Sequence, residues 1–297
     1  MTGAFGYSGR HIAERLLRRG VRLKTLTNHP GRPIAAPGQI EVMPLDFDDG
    51  IRLRAALSGA SVVYNTYWVR FADRGEAHGR AVAHSKILIE AALRERVDHF
   101  VHVSIANADQ APWLSYYRGK AEVEDYLRHS GLPFSIVRPT VLYGVGDILI
   151  NNMAWFLRHL PVFGIPGDGS YRIQPVYVED YADLIVGIGA TAPSGTTIDA
   201  VGPDSYRFSD LIALVRSATC SHCMVLNVPP SLARFAVSTV GGLVRDTVLT
   251  REEIEGLMAG LLASRSEPTC PTFFAEWLAT HCGGLGHRYA SELARRR

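Results

Sequence analysis

Through about the first 145 residues, short apolar runs rich in β-branched side chains alternate with stretches whose apolar positions recur every three or four residues. Val21–Thr27, Glu41–Leu45, Ser61–Thr66, His99–Ser104 and Phe134–Val137 read as strands. In HIAERLLRRG, Ile12, Leu16 and Leu17 share one face and Gly20 stops the helix. AVAHSKILIEAALRERV and GKAEVEDYLRHSGL are helical by the same spacing, the second ended by Gly131. Repeated strand–helix–strand order predicts an α/β fold: a doubly wound parallel sheet with helices on both faces. After Gly144 the alternation loosens. Asp147–Leu160 reads as a helix stopped by Pro161, PVFGIPGDGSYR as a Pro/Gly-rich loop, and RIQPVYVEDYADLIVGIG as a strand feeding a helix. From about Gly202 onward helix and loop dominate. The expected organisation is a sheet domain over residues 1–145, with 173–201 returning to it, and a smaller, mostly helical C-terminal lobe over 146–297.

The pattern breaks at its start. In a doubly wound sheet of order 3-2-1-4-5-6 the strand before the first helix is central, yet only Met1 and Thr2 precede Gly3. Without that strand, Val21–Thr27 and Ser61–Thr66 lose their shared neighbour, and each unpaired buried backbone group costs about 1–3 kcal/mol. The first strand is therefore expected to be missing from this chain, and the native product to begin upstream, with Met1 an internal residue.

Three constellations carry candidate chemistry. Gly3-Ala-Phe5-Gly6-Tyr7-Ser-Gly9 precedes the first helix, where glycines let the backbone turn tightly and approach a pyrophosphate beside free helix N–H groups. That spacing predicts a phosphate-binding turn at the head of the first helix. Second, Thr27-Asn28-His29-Pro30-Gly31-Arg32 ends the second expected strand without the acid that grips an unmodified adenosine ribose. A guanidinium at Arg32 suits a 2′-phosphate, so NADP(H) is favoured over NAD(H). Third, Tyr116 and Lys120 stand one helical turn apart, after a strand that ends on Ser104. A free phenol has a pKa near 10, and a neighbouring ammonium favours the phenolate. Tyr116 can then exchange a proton with a substrate oxygen that Ser104 holds.

Composition narrows the function classes. Of 297 residues, 47% are hydrophobic and 20% charged, which is a folded globular composition. The balance of 31 basic and 29 acidic residues, +2, gives no overall field to draw in nucleic acid or an anionic membrane. Lysine occurs only at Lys24, Lys86 and Lys120. Four cysteines are too few for a disulfide scaffold and fit a reducing compartment, so a cytoplasmic location is expected. Cys220-Ser-His-Cys223 has no second pair at ligand spacing, and the histidines show no metal-binding pattern, so no metal is expected. No uncharged apolar run of spanning length occurs, since Leu232–Leu249 is cut by Arg234, Arg245 and Asp246. Tyr64, Tyr67, Trp68 and Phe71 either line a cavity or belong to the core.

The segments TGAFGYSG, LDFDD (Leu45–Asp49), NTYW (Asn65–Trp68), HVSIANAD (His102–Asp109), YYRGKAEVED, RPTVLYG (Arg138–Gly144) and QPVYVEDYA (Gln174–Ala182) resemble the short-chain dehydrogenase/reductase superfamily in its extended and atypical branches. RGKAEVE, RPTVLYGVGDILINNMAW and PVFGIPGDG are most similar to the group that contains the nucleotide-binding accessory subunit of respiratory complex I and its bacterial relatives. The resemblance covers residues 2–200 well and the last hundred weakly. It implies phosphate contacts at Gly3, Phe5, Gly6, Tyr7 and Gly9, an adenine contact at Asp46 and Phe47, and cofactor-facing backbone at Asn65, Thr66 and Tyr67. It also implies a nicotinamide-side wall at Pro139, Thr140 and Val141, with Ser104, Tyr116 and Lys120 as the catalytic set. The resulting expectation is hydride transfer to or from a carbonyl or alcohol of an unidentified small molecule. A sugar-nucleotide-type epimerase or dehydratase, or a non-catalytic assembly or redox-sensing protein, are the alternatives. Association with a larger membrane complex or with further copies of itself stays open.

Overall fold

The computed structural model describes residues 1–28, 38–70, 77–191 and 193–296. His29, Arg32 and Phe71 lie outside them. The chain divides into two compact units, Met1–Pro139 with Val178–Ala200, and Thr140–Tyr177 with Val201–Arg297.

In the first unit, α1 (Tyr7–Arg18) leads to β1 (Leu23–Thr27), β2 (Ile40–Pro44), α2 (Gly50–Leu57), β3 (Val62–Asn65), α3 (Ala77–Arg94), β4 (His99–Val103), α4 (Ser115–His129) and β5 (Phe134–Pro139). After β6 (Val141–Tyr143), α5 (Leu149–His159), β7 (Val162–Pro166), β8 (Arg172–Ile173) and β9 (Pro175–Tyr177), the chain returns to it with α6 (Val178–Thr191) and β10 (Thr196–Ala200). Among the described residues its strands pair in parallel: β1 with β2, and β10-β5-β4-β3 in that order. Helix α6 packs with α1, while α2, α3 and α4 pack together. Phe100, Ile136, Leu88, Ile89, Val123 and Leu127 form part of one buried cluster.

The first strand is not wholly absent. Three residues take its place. Leu26 N–H donates to Met1 O and Gly3 N–H to Leu26 O, while Thr2 N–H donates to Tyr64 O, so Met1–Gly3 links β1 to β3. Thr2 adds its hydroxyl, which donates to Asn65 Oδ1 and accepts from Thr66 N–H. Side-chain bonds thereby compensate for the shortness of the backbone pairing.

Two charged clusters hold elements of this unit together. Arg15 on α1 pairs with Glu179 and Asp183 on α6, and His11 lies 2.8 Å from Glu179. Glu124 on α4, fully buried, receives Arg138 from β5 at 2.9 and 2.5 Å and Arg128 at 2.8 Å.

The second unit contains three small ribbons: β6 with β9 and β7 with β12 (Met224–Val228), both parallel, and β8 antiparallel to β11 (Tyr206–Arg207). Its helices are α5, α7 (Phe208–Ala218), α8 (Pro230–Val244), α9 (Arg251–Met258), α10 (Phe274–His281) and α11 (Glu292–Arg296). Buried Tyr143 meets Phe274 and Trp277 edge to face. Helix and loop dominate after Gly202, interrupted by the short strands β11 and β12. The loop expected at PVFGIPGDGSYR likewise contains β7. Among the described residues, no helix is long and apolar enough to cross a membrane.

Candidate functional site

The glycine turn is built by steric necessity. Gly3 sits at φ +66°, in the left-handed region that side chains disfavour, and a Cβ there would lie 2.8 Å from Thr66 Oγ1. Gly9, on the first turn of α1, faces the Gly3 carbonyl so closely that a Cβ would run into it. Gly6 N–H donates to Gly3 O, closing the turn, and Gly6 caps α1 with no side-chain bond to the helix. The first turn holds no acid. Phe5 and Tyr7 are half-buried around it. The absence of Cβ atoms together with a helix N-terminus forms a cradle suited to a pyrophosphate.

The expected adenine contacts fall together. Asp46 Oδ1 accepts from the N–H groups of Asp48 and Asp49, fixing the turn after β2. Phe47 stacks on His84 with ring centroids 4.1 Å apart and meets Tyr67 at 5.0 Å. Tyr67 Oη lies 2.8 Å from His84 Nδ1. Burial holds His84 below its ordinary pKa, against the pull of Asp48, and pushes the Tyr67 phenol up. Asn28 is exposed at the end of β1.

Asn65 and Thr66 are engaged within the protein. Asn65 Oδ1 accepts from Thr2 Oγ1 and from Tyr67 N–H, and its amide nitrogen lies 3.1 Å from His102 Nδ1. Thr66 Oγ1 donates to Thr2 O. Pro139 ends β5, and its carbonyl accepts from Ala106 N–H. Thr140 Oγ1 donates to Gln174 O at 2.6 Å, and Val141 opens β6 with its N–H on the same carbonyl.

Ser104 follows the last residue of β4. Its Oγ is buried and has no hydrogen-bond partner among the described residues. Lys120 is also buried, and its Nζ donates to the carbonyl of Val103, the residue before Ser104, at 2.8 Å. The same ammonium lies 4.3 Å from the ring centre of Trp68. Burial pulls its pKa down to about 7, although Glu124 opposes the shift. Tyr116 sits one turn earlier on α4, edge to face with Trp68 at 5.8 Å and with His78 at 5.5 Å. Trp68 therefore touches both Tyr116 and Lys120. His102 is fully buried beside this group. Burial, and then the Lys120 charge, keep it neutral far below its ordinary value.

Thr2, His102, Trp68, His78 and His84 were not singled out as site residues by the sequence. Trp68 was weighed only as one of four aromatics that line a cavity or belong to the core, and a single histidine within an apolar strand gives no spacing signal. Tyr64 belongs to the core: its phenol packs on Gly189, where a Cβ would collide with the ring.

Comparison with known proteins places this geometry. Residues 3–147 match the family model described as NAD(P)H-binding. The chain is 25% identical over 237 residues to NADH dehydrogenase (ubiquinone) 1 alpha subcomplex subunit 9, mitochondrial, of Dictyostelium discoideum, covering 77% of this chain and 65% of that protein. It is 27% identical to the ceramide reductase of Caulobacter vibrioides, covering 82% and 76%. An NADPH-dependent quinone oxidoreductase of Escherichia coli has the same fold, with a TM-score of 0.74 at 21% identity over 95% of this chain and 98% of that one. The chain spans 56–68% of the length of the mitochondrial relatives it matches. The glycine cradle and the parallel sheet accord with the NAD(P)H-binding family model that residues 3–147 match.

Proposed function

We propose that this protein moves hydride between NADP(H) and a carbonyl or alcohol carbon of a small molecule. Tyr116 exchanges the proton, Ser104 holds the reacting oxygen, and Lys120 tunes Tyr116. The observation that carries this reading is the Ser104 hydroxyl. A buried hydroxyl without a partner costs about 1–3 kcal/mol, and a substrate oxygen relieves that cost.

The cradle of Gly3, Gly6 and Gly9 would hold the pyrophosphate, with Asp46 and Phe47 toward the adenine. Bound there, a reduced nicotinamide supplies the hydride. In the reductive direction Ser104 Oγ donates a hydrogen bond to the carbonyl oxygen, and Tyr116 Oη delivers the proton that turns it into a hydroxyl. Lys120, anchored on Val103 O, places its positive charge on the helical turn that carries Tyr116 and favours the phenolate left behind. Trp68 covers the ammonium and keeps water from it.

The reductase names of the Caulobacter and Escherichia coli proteins support this direction and suggest quinones and ceramide as first substrates to try. The Dictyostelium relative, whose name is that of a respiratory-complex subunit, supports a second reading as a non-catalytic NAD(P)H-binding protein of an assembly. Loss of nicotinamide absorbance on mixing the protein with NADPH and a panel of quinones and small ketones, or its gain with NADP+ and ceramide, separates the two. Turnover with one member, abolished in Tyr116→Phe, is the expected result. Saturable NADPH binding with no turnover across the panel would leave the second reading standing.

A further inference from the structure

Among the described residues, five of the thirteen exposed large apolar side chains fall on β7, β12 and α8: Val162, Met224, Leu226, Leu232 and Phe235. The β7–β12 ribbon explains three of them. Its register sets Val162 opposite Met224 and Gly164 opposite Leu226. Strand side chains alternate, so Phe163, Ile165 and Val225 enter the unit's core cluster while Val162, Met224 and Leu226 face the other way. The ribbon then runs through Pro229 into α8, which packs along β7 and leaves Leu232 52% and Phe235 69% exposed. A grouped apolar surface of this kind marks an interaction site, whereas single exposed residues need no explanation.

Charge selects the occupant. β7, β12 and α8 contain no acidic residue. Residues 222–245 hold two arginines, Arg234 and Arg245, and no acid. Asp246 is buried and accepts from Tyr289 Oη and the N–H groups of Glu292 and Leu293. Arg251 pairs with Glu255. Arg234, between Leu232 and Phe235 in sequence, and Arg245, at the C-terminal end of α8, are exposed and form no ion pair among the described residues. The nearest exposed acid after β7 is Asp168, engaged with Ser170. In a two-fold pairing of this face, Arg234 would approach its own copy, which like charge opposes. An aromatic and aliphatic apex beside unpaired guanidiniums instead matches a bilayer interface, where rings and aliphatic chains enter the acyl boundary and arginines meet lipid phosphates.

We propose that the face formed by Val162, Met224, Leu226, Leu232 and Phe235, flanked by Arg234 and Arg245, docks this protein onto the surface of an anionic lipid bilayer. The small total charge conceals this local surface. Docking and catalysis are independent, so either fails without the other.

The test is co-sedimentation of the full chain with vesicles of phosphatidylcholine, with and without phosphatidylglycerol, alongside light scattering. Partitioning into the anionic vesicles is expected to exceed that into the neutral ones by roughly tenfold or more, and to fall with added salt. Leu232→Ser with Phe235→Ser should lower it at least about tenfold, given the apolar area withdrawn. Arg234→Gln with Arg245→Asn should reduce it to the neutral-vesicle level. All variants should keep the wild-type melting temperature. Absent or equal binding to both vesicle types would overturn the proposal. So would a wild-type dimer that the two serine substitutions convert to a monomer, since a second copy would then cover the face.

Discussion

Helix α4 buries two opposite charges one turn apart, and the protein treats them differently. Glu124 is enclosed by Arg138 and Arg128, so both carboxylate oxygens are matched by guanidinium donors. Among the described residues, Lys120 has a single carbonyl and an aromatic face, and no carboxylate pairs with it. A fully matched buried charge acts as architecture. An incompletely matched one is held near neutrality, with Lys120 at about 7, and a group that titrates at working pH is the kind that chemistry needs. The same division recurs nearby: Thr2, Asn65 and Thr66 satisfy one another, while Ser104 Oγ has no hydrogen-bond partner among the described residues.

The largest effect expected from this contrast is on rate. Tyr116→Phe removes one oxygen from α4 and retains the ring that packs on Trp68 and His78. Turnover should drop by roughly 10²–10⁴-fold, the range for a lost general acid, with NADPH affinity by titration nearly unchanged. A variant that keeps most of its rate would remove Tyr116 from the site and leave Lys120 without a chemical role.

Next in size is the cost of breaking the matched charge. Glu124→Gln leaves Arg138 and Arg128 without their carboxylate, and losing one partner of a buried ion pair costs about 3–5 kcal/mol. Chemical denaturation should show that loss as a lower midpoint at an unchanged slope. A change below about 1 kcal/mol would mean that the pair is no more structural than a surface one.

Lys120→Met should act in the opposite sense. Turnover is lost, yet stability at pH 7 holds or rises, because a buried ammonium with one neutral acceptor is replaced by an apolar chain. The pH dependence sharpens this. Below about pH 7 Lys120 is protonated in both folded and unfolded chains, and its burial penalty applies in full. Between about 7 and the ordinary lysine value of 10.5 the unfolded chain binds the extra proton, so stability rises with pH. The contribution is at most about 1.4 kcal/mol per pH unit. Denaturation curves at several pH values should show this slope in the wild type and lose it in Lys120→Met.

The parts of this contrast that spacing encodes were legible in the chain. Tyr116 and Lys120 stand four apart on a helix, the glycines precede α1, and the strands of the first unit have apolar runs of their own. Helix α2 was missed because GIRLRAAL is short and its apolar positions do not define a face, while Asp49, which caps it through Ile51 and Arg52, read as part of LDFDD. The β7–β12 pairing was missed because the two strands are about sixty residues apart and β7 ends on proline, so nothing local distinguishes it from a loop. The first strand was expected to be absent because only Met1 and Thr2 precede Gly3. Its role comes from Thr2, whose partners Asn65 and Thr66 lie more than sixty positions on. His102 and Trp68 matter through what they touch, which a linear pattern does not express.

The smallest expected effect concerns the cofactor's second phosphate. β1 ends at Thr27, and the residues that follow, Asn28-His29-Pro30-Gly31-Arg32, offer no carboxylate to hold a ribose diol. A carboxylate there would also repel a 2′-phosphate, whereas a guanidinium can meet it with two parallel N–H bonds. NADPH should therefore bind more tightly than NADH. Arg32→Ala should weaken NADPH by about tenfold, the scale of one charge-assisted bond, and leave NADH nearly where it was. Fluorescence titration of both cofactors against wild type and variant gives the four constants. Wild-type affinities that are equal, and unchanged by the substitution, would show that Arg32 is one solvated arginine among many. The contrast on α4 would survive that result, since neither Glu124 nor Lys120 depends on which nicotinamide nucleotide is bound.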